Sequence, residues 1–384
     1  MQNERNSGGG TRDSGLGVRD PEPRVVADLT ERELIARIQN RLPPAPPWMI
    51  VGIGDDAAVV EPARNRVDVL SVDALIEGVH FDRAFTPPTA IGHRALAANL
   101  SDLAAMGAEP RLALLSLALP QALAVADFDA MIAGLAALAA PHRLHLAGGN
   151  LTRSPGPLVV DVTVMGTVKP RRALLRAGAR PGDELYVSGT IGAAAAGLQM
   201  LKCQKLSTTL STTEDTEDTE VQTRHQNFSS VSSVSSVVES CVTRYLYPEP
   251  RVRLGSMLGR NRAASACMDL SDGLADAVRQ VADASGVGAV IDIDRLPIDP
   301  EAREWFVSRG LDPVHEAVTG GDDYELLVAV RPRTRSRLAA AHRHGGVPLT
   351  RIGLCTNDRA ILMRRTAGDA IEAQPMPRGY AHFR

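Results

Sequence analysis

The sequence predicts a two-domain α/β protein. Apolar runs of strand length alternate with longer segments in which apolar residues recur at helical spacing, and both halves of the chain show this alternation. With 384 residues, 44% of them hydrophobic, the chain is long enough for two domains with separate cores. A basic segment, residues 169–180, interrupts the alternation. We therefore predict an N-terminal domain over residues 25–168 and a C-terminal domain over residues 169–384.

The elements of the N-terminal half follow from caps and periodicity. Thr30 is a suitable helix N-cap, and Glu33 completes a capping box with it. The remaining predicted elements are strands over 49–53 and 67–72, a helix over 90–106, a strand over 112–119, a helix over 128–140 and a strand over 158–168. The second strand is expected to end just before Asp73. Gly148 and Gly149 are expected to form a turn.

Two segments are predicted to lack regular structure. Residues 1–24 are polar and glycine-rich without an apolar core, so we expect a disordered tail rather than a secretory signal peptide. Residues 203–242 contain short repeats of Ser, Thr, Glu and Asp, which predict a low-complexity insertion within the C-terminal domain. Such an insertion is tolerable because loop-closure entropy grows slowly with length. A regulatory or interaction arm is the alternative interpretation.

Composition and charge exclude several classes of protein. A net charge of -3 provides no broad attraction for nucleic acid. The most apolar region, residues 112–140, is interrupted by Pro120 and Asp127, so no span is long enough for a bilayer. The four cysteines form no C-x-x-C pair, which argues against a zinc site or a disulfide framework. We expect a cytoplasmic protein without nucleic-acid or membrane partners.

Carboxylates stand beside glycine or at predicted element ends in six short segments. The segments are GIGDDAAVV, SVDALIEGVHF, NLSDLAAMGA, GGNLTR, MDLSDGLAD and TGGDDYELL. A turn or a helix cap explains each segment taken alone. Eight of their aspartates would repel one another in one cleft without cations: Asp55, Asp56, Asp73, Asp102, Asp269, Asp272, Asp322 and Asp323. Carboxylate oxygens without an accompanying His or Cys cluster preferentially bind magnesium or a similar hard cation. Because magnesium in proteins usually bridges carboxylates and substrate phosphates, the pattern indicates metal-assisted phosphoryl transfer.

An ATP site in this chain must be built without the common nucleotide motifs. The sequence contains neither G-x-x-x-x-G-K-[ST] nor the glycine-rich, H-R-D and D-F-G set of protein kinases. The short segments GIGDD, GGN and SGTIG are able to bring backbone amides to phosphates, although such turns are weak signals.

The same segments, in their order along the chain, resemble the thiamine-monophosphate kinase family. Two further segments, GGNLTRSPGPL and RRALLRAGARPGDELYVSGTIG, extend the match from about residue 30 to the end, apart from the insertion. The resemblance implies an aminoimidazole ribonucleotide synthetase-like fold, with an N-terminal mixed-sheet domain that pairs in a homodimer and a C-terminal α/β domain. It also implies ATP-dependent phosphorylation of thiamine monophosphate to thiamine diphosphate by direct in-line transfer, with several Mg²⁺ ions.

The resemblance implies roles for individual residues. The residues at magnesium-binding positions are Asp56, Ser71, Val72 through its carbonyl, Asp73, Asp102, Asn150, Asp269 and Asp272. The residues at ATP-binding positions are Gly149, Asn150, Arg176 and Ser271. The residues at thiamine-phosphate positions are His80 and Asp322. Taken alone, His80 is more typical of a core histidine and Arg176 of a solvated surface charge.

The chain departs from the family pattern at two positions. Asn150 stands where the family usually has an aspartate, so a neutral amide replaces an anionic ligand and we expect weaker magnesium affinity. Pro377 stands where an aromatic residue often stacks on thiamine, with Tyr380 and Phe383 nearby in the sequence. These departures motivate an alternative, a catalytically impaired protein that binds nucleotide or thiamine phosphate.

Other enzymes of the same superfamily are the remaining alternatives. Selenophosphate synthetase requires a reactive Cys or selenocysteine near its start, whereas the first cysteine of this chain is Cys203. The hydrogenase-maturation member requires a C-terminal Cys, and this chain ends in GYAHFR. Aminoimidazole ribonucleotide synthetase stays open on chemistry alone, but SVDALIEGVHF and GGDDYELL are more similar to the thiamine branch.

Overall fold

The structure is a computed structural model that describes residues 24–213, 240–367 and 370–379. Most of the predicted tail and residues 214–239 of the predicted insertion lie outside these ranges. The described strands form three sheets of two, four and seven strands. The two-stranded sheet pairs β1 (Met49–Val51) with β2 (Val59–Val60) in antiparallel fashion.

A four-stranded mixed sheet organises the N-terminal half. Its strands are β3 (Val67–Ile76), β4 (Glu109–Pro120), β5 (His145–Ser154) and β6 (Val159–Val168), in the order β3-β6-β4-β5. Only β4 and β5 are parallel. The helices of this half are α1 (Glu31–Gln39), α2 (Pro88–Ala105) and α3 (Val125–Ala139). Helix α2 packs on β3 and β6, and α3 packs against α2.

The start of α1 confirms the predicted capping box. The backbone N–H of Glu33 donates to Oγ1 of Thr30 at 3.3 Å, and the Glu33 carboxylate accepts from the backbone N–H of Thr30 at 2.7 Å. These two bonds satisfy two backbone donors that the first turn of a helix otherwise leaves unpaired.

A seven-stranded sheet organises the C-terminal half, in the order β13-β12-β9-β11-β7-β10-β8. Its strands are β7 (Glu184–Ser188), β8 (Ala266–Asp269), β9 (Gly288–Asp292), β10 (Leu326–Val330), β11 (Leu349–Thr356), β12 (Ile361–Ala367) and β13 (Ala370–Pro375). The helices are α4 (Ala193–Thr213), α5 (Val252–Asn261), α6 (Leu274–Ser285), α7 (Pro300–Ser308), α8 (Pro313–Thr319) and α9 (Arg335–Gly345). Residues 240–246 are also helical.

Three local predictions were wrong. Strand β3 continues to Ile76 because it pairs with β6 over its whole length, so Asp73 lies inside the strand rather than after it. Gly148 and Gly149 lie inside β5 instead of forming a turn. Helix α4 continues past Cys203, where the insertion was predicted to begin, because a helix started by strong formers propagates at small cost.

The two halves share one hydrophobic cluster, and a second cluster lies within the C-terminal half alone. Leu103 of α2 belongs to the same cluster as Leu254 of α5 and Val328 of β10. Helices α2 and α5 meet at Gly255, where a Cβ would lie 1.9 Å from the backbone oxygen of Ala104. This close contact holds the last turn of α2 against the C-terminal half. None of the helices in the described ranges combines the length and apolar character that crossing a bilayer requires.

Candidate active site

Strand β3 and helix α2 place a serine and two aspartates together. Ser71 and Asp73 stand two residues apart in β3, so their side chains lie on the same face of the strand, towards α2. The hydroxyl of Ser71 donates to Oδ2 of Asp102, which stands in the last turn of α2. Burial, followed by the carboxylates of Asp102 and Asp272, raises the pKa of Asp73 to about 7. Burial also raises the pKa of Asp102, against the lowering effect of the Ser71 hydrogen bond.

Strand β8 adds a third carboxyl group from the C-terminal half. Asp269 is the last residue of β8 and is only 3% exposed. Its Oδ2 accepts from the hydroxyl of Ser101 at 2.8 Å, and its Oδ1 accepts from the hydroxyl of Ser271 at 3.4 Å. Burial, followed by the charge of Asp102, raises the pKa of Asp269 to about 7. The cluster therefore joins the two halves of the chain.

The guanidinium of Arg176 acts electrostatically on two carboxyl groups of this cluster. Its charge lowers the pKa values of Asp102 and Asp269, against the larger effect of burial. Its guanidinium donates to Oε1 of Gln280 on α6 at 2.5 Å, which fixes its position beside the segment that carries Asp272. The pKa values of these carboxyl groups are therefore raised chiefly by burial, and for Asp73 and Asp269 also by neighbouring carboxylates.

The donor set of the cluster suits a hard divalent cation. Carboxylate and hydroxyl oxygens are the ligands that magnesium and calcium take in proteins. Desolvated carboxylates close together favour protonation when alone, whereas a bound cation favours their ionised form. Asp73, Asp102 and Asp269, with the hydroxyl of Ser71, could therefore hold such an ion.

A second group of residues surrounds the buried side chain of Arg94 on α2. Arg94 is 1% exposed, and its guanidinium lies 4.1 Å from the ring centroid of Tyr245. It donates to Oδ2 of Asp322 at 3.2 Å and to the backbone oxygen of His80 at 3.5 Å. Asp322 also accepts from the Tyr324 hydroxyl at 3.1 Å. The structure thus brings together the two residues that the sequence assigned to the thiamine-phosphate site.

The loop that carries Asp322 is held in an uncommon conformation next to the carboxylate cluster. Asp322 has φ +67° and Tyr324 has φ +50°, both in the left-handed region. The backbone N–H of Asp322 donates to the backbone oxygen of Ser271 at 2.8 Å. Such backbone conformations cost free energy and are concentrated at ligand sites. The loop consequently connects the Arg94 group to the cluster around Asp269.

Comparison with known proteins identifies the family. Residues 54–168 match AIR synthase related protein, N-terminal domain, and residues 180–363 match AIR synthase related protein, C-terminal domain. Thiamine-monophosphate kinase of Bacillus subtilis (strain 168) is 34% identical over 348 residues, which are 87% of this chain and 94% of the relative. The chain belongs to the thiamine-monophosphate kinase family. The two-domain α/β architecture predicted from the sequence is confirmed.

Solved structures of thiamine-monophosphate kinases share this fold. The crystal structure of the enzyme from Stenotrophomonas maltophilia K279a matches with TM-score 0.71 at 38% identity, covering 87% of this chain and 96% of that chain. AaThiL complexed with AMPPCP and TMP matches with TM-score 0.64 at 28% identity, covering 89% of this chain and 96% of that chain.

Not every residue with an expected role in the thiamine-monophosphate kinase family lies at the cluster. Gly149 and Asn150 stand on β5, which is the opposite edge of the four-stranded sheet from β3. Asp56 is exposed, and its backbone N–H donates to Oδ1 of the neighbouring Asp55 at 2.8 Å. Within the described ranges, no hydrogen bond or ion pair joins Asp56 or Asn150 to the carboxyl groups around Asp102.

The C-terminal segment of this kinase-family chain lies close to the site. Arg279 of α6 donates to the backbone oxygens of Met376 at 3.4 Å and Pro377 at 3.2 Å. Because α6 follows directly after Asp272, these bonds hold Pro377 near the cluster. Tyr380 and Phe383 lie outside the described residues.

Sequence reasoning missed Arg94 and Ser101, which hold other site residues in place. The available signal was the pattern of α2 itself, since Arg94 is a charged residue in an otherwise apolar run, AIGHRALAANL. A charged side chain in a buried stripe must find a partner, and here the partner is Asp322 in the other half of the chain. Only the folded chain shows this pairing.

Proposed function

We propose that this protein transfers the γ-phosphate of ATP to thiamine monophosphate, which yields thiamine diphosphate and ADP. The observation that carries the proposal is the buried cluster of Asp73, Asp102 and Asp269 with raised pKa values beside Arg176. The family relatives that bear the name thiamine-monophosphate kinase support it, as does the complex of AaThiL with AMPPCP and TMP.

Magnesium is the cation that this proposal requires. Asp73, Asp102, Asp269 and the Ser71 hydroxyl would hold it, with Asp272 within electrostatic range of Asp73. The further ligands proposed from the family resemblance are Asp56, the Val72 carbonyl and Asn150. When bound, magnesium supplies positive charge that offsets the repulsion between the phosphates of the two substrates.

The side chains around the cluster bind and orient the substrates in this proposal. Arg176 and Ser271, which stands two residues after β8, contact the phosphates of ATP. Gly149 is required by the packing of β5 on β4, since a Cβ there would lie 1.8 Å from the backbone oxygen of Leu115, and its ATP contact is proposed from the family resemblance alone. His80 and Asp322 position the thiamine phosphate, and Arg94 fixes both of them.

Direct in-line transfer is the mechanism that these residues support. The attacking oxygen belongs to a phosphate that is already ionised near neutral pH, so no side chain has to remove a proton from it. The work of the protein is to align the two phosphates and to stabilise the charge of the transferring group. A phosphoenzyme trapped in a single-turnover reaction would contradict this mechanism.

The outer face of the four-stranded sheet supports the proposed homodimer. Leu70 and Val72 of β3 and Leu114 of β4 are 68%, 59% and 40% exposed and lie on the face opposite α2. Adjacent apolar side chains of this kind usually mark an interface. We expect sedimentation equilibrium to show a dimer, and Leu70→Asp to dissociate it because a charge would be buried in the interface. A monomeric wild type would contradict this assignment.

A product assay tests the function directly. The purified chain is incubated with ATP, magnesium and thiamine monophosphate, and ADP and thiamine diphosphate are quantified together. Equal amounts of both products support the kinase, and unphosphorylated thiamine serves as the control acceptor. ATP binding without either product would instead support the catalytically impaired binding protein.

A further inference from the structure

A cationic cavity lies in the C-terminal half, away from the carboxylate cluster. It has a volume of about 400 Å³ and is lined by four arginines, Arg262, Arg331, Arg333 and Arg337, together with the hydroxyl residues Ser265 and Thr334. Ser265 precedes β8 and Arg331 follows β10, whereas Asp269 and Asp322 lie at the other ends of these strands. The length of β8 alone separates the two places by roughly 13 Å.

The four arginines of this cavity form no ion pairs in the part of the chain that the structure describes, although the carboxylate of Asp183 accepts from the lining Ser265 at 2.6 Å. Across residues 24–213, 240–367 and 370–379, no carboxylate forms an ion pair with any of the four guanidinium groups. By contrast, Arg335 and Arg351 both contact Glu184. The Nε of Arg331 is buried and has no hydrogen-bond partner. A buried donor without a partner costs free energy that an anionic ligand would recover.

The backbone places the four arginines around the cavity, where the side chains of Arg262, Arg333 and Arg337 are exposed. Arg262 ends α5 in the left-handed conformation, with φ +52°, and directs the chain into β8. A single turn of 3-10 helix over Pro332–Thr334 leads into the eleven-residue α9. Thr334, the N-cap of α9, makes no side-chain cap bond and lines the cavity. The positive end of the α9 dipole therefore lies at the cavity wall.

We propose that this cavity binds a small ligand that carries a chain of two or more phosphates. Guanidinium groups bind phosphate oxygens in bidentate fashion, and four of them around one cavity match several phosphate charges rather than a single one. The hydroxyls of Ser265 and Thr334 donate within the protein, to Asp183 and to the backbone oxygen of Arg331, so the guanidinium groups are the donors that the cavity offers to a ligand. A concave site of this volume suits a small molecule, whereas a nucleic acid would require an extended basic surface.

Calorimetric titration of the full chain with inorganic tripolyphosphate, in EDTA and without divalent cations, tests this proposal. Under these conditions the carboxylate cluster repels the probe, so binding reports on the cationic cavity. We expect one saturable site per chain. The double variant Arg333→Gln/Arg337→Gln should weaken binding by about tenfold or more, since each charge-assisted bond contributes that much.

A matched double variant distinguishes specific binding in the cavity from nonspecific attraction of the anionic probe to surface arginines. Arg303→Gln/Arg343→Gln removes the same charge from exposed arginines outside the cavity and should leave the affinity unchanged. Thermal unfolding of all variants checks that they remain folded. Equal weakening in both double variants, or no saturable binding by the wild type, would overturn the proposal.

Competition distinguishes the sources of the phosphate chain. Displacement of tripolyphosphate by ADP supports a nucleotide ligand, and displacement by pyrophosphate alone supports an inorganic one. If neither ADP nor pyrophosphate displaces tripolyphosphate but a short RNA does, the proposal of a small-molecule site would be overturned. Because the measurement involves no turnover, a chain without kinase activity would leave its outcome intact.

Discussion

The Asp269→Asn substitution tests whether the carboxylate cluster is desolvated in the way the structure indicates. Burial raises the pKa of Asp269 to about 7 from a model-compound value of 3.8. Between these two pH values the folded protein holds a proton that the unfolded chain has released. The contribution of this group to stability is therefore complete below about pH 4 and is lost as the pH rises through about 7.

The structure sets the size of this effect. A difference of about three pH units corresponds to about 4 kcal/mol at 1.36 kcal/mol per unit. Because Asp269 is 3% exposed, solvent screening reduces this value little. The Asp269→Asn side chain does not titrate. We expect the free energy of unfolding of the variant, minus that of the wild type, to rise by up to about 4 kcal/mol from pH 4 to pH 8.

Urea denaturation in EDTA at a series of pH values measures this difference. The change with pH is the observable, because a loss of the Ser101 hydrogen bond shifts the variant by a constant amount. Asp283→Asn, which removes an exposed carboxylate from α6, is the matched control. Saturating magnesium should restore wild-type stability above pH 7 and have little effect on the variant. Parallel pH profiles of wild type and Asp269→Asn in EDTA would refute the reasoning.

Three further substitutions test other contacts. Arg94→Met should lower the free energy of unfolding by about 3 kcal/mol in urea denaturation. This is the low end for a broken buried ion pair, because Asp322 is 32% exposed. An unchanged free energy of unfolding would contradict the pairing. Gly255→Ala should lower the free energy of unfolding by about 1–3 kcal/mol, since its Cβ would lie 1.9 Å from a backbone oxygen. In the same assay the control Gly156→Ala, whose Cβ would face open space, should leave stability nearly unchanged. Asn150→Asp should tighten magnesium binding in calorimetry with a non-hydrolysable ATP analogue, and unchanged affinity would exclude a ligand role for this position.

The sequence alone supported the fold class and the central carboxylates. Alternating apolar runs are local patterns, so they predict strands and helices without knowledge of the fold. The argument that several aspartates would require cations named eight of them, and the structure gathers four, Asp73, Asp102, Asp269 and Asp272. Of the others, Asp55 and Asp56 are exposed, Asp322 pairs with Arg94, and Asp323 accepts from the backbone N–H groups of Gly192 and Ala194. The ordered motifs also indicated the thiamine-monophosphate kinase family before any comparison.

Tertiary structure alone decided how far each element extends and what lies opposite it. Strand β3 passes through Asp73 because β6 pairs with it, and the Gly148-Gly149 pair is extended because β4 runs beside it. Pairing partners are distant in sequence, so local turn preference cannot reveal them.

The same limit applies to the charged side chains. The sequence determined that Arg94 lies in an apolar helix and that arginines are frequent in the C-terminal half. It did not determine that Asp322 meets Arg94, or that four arginines from two separate segments line one cavity without carboxylate partners. Charge compensation depends on distances between residues far apart in the chain, and only folding sets those distances.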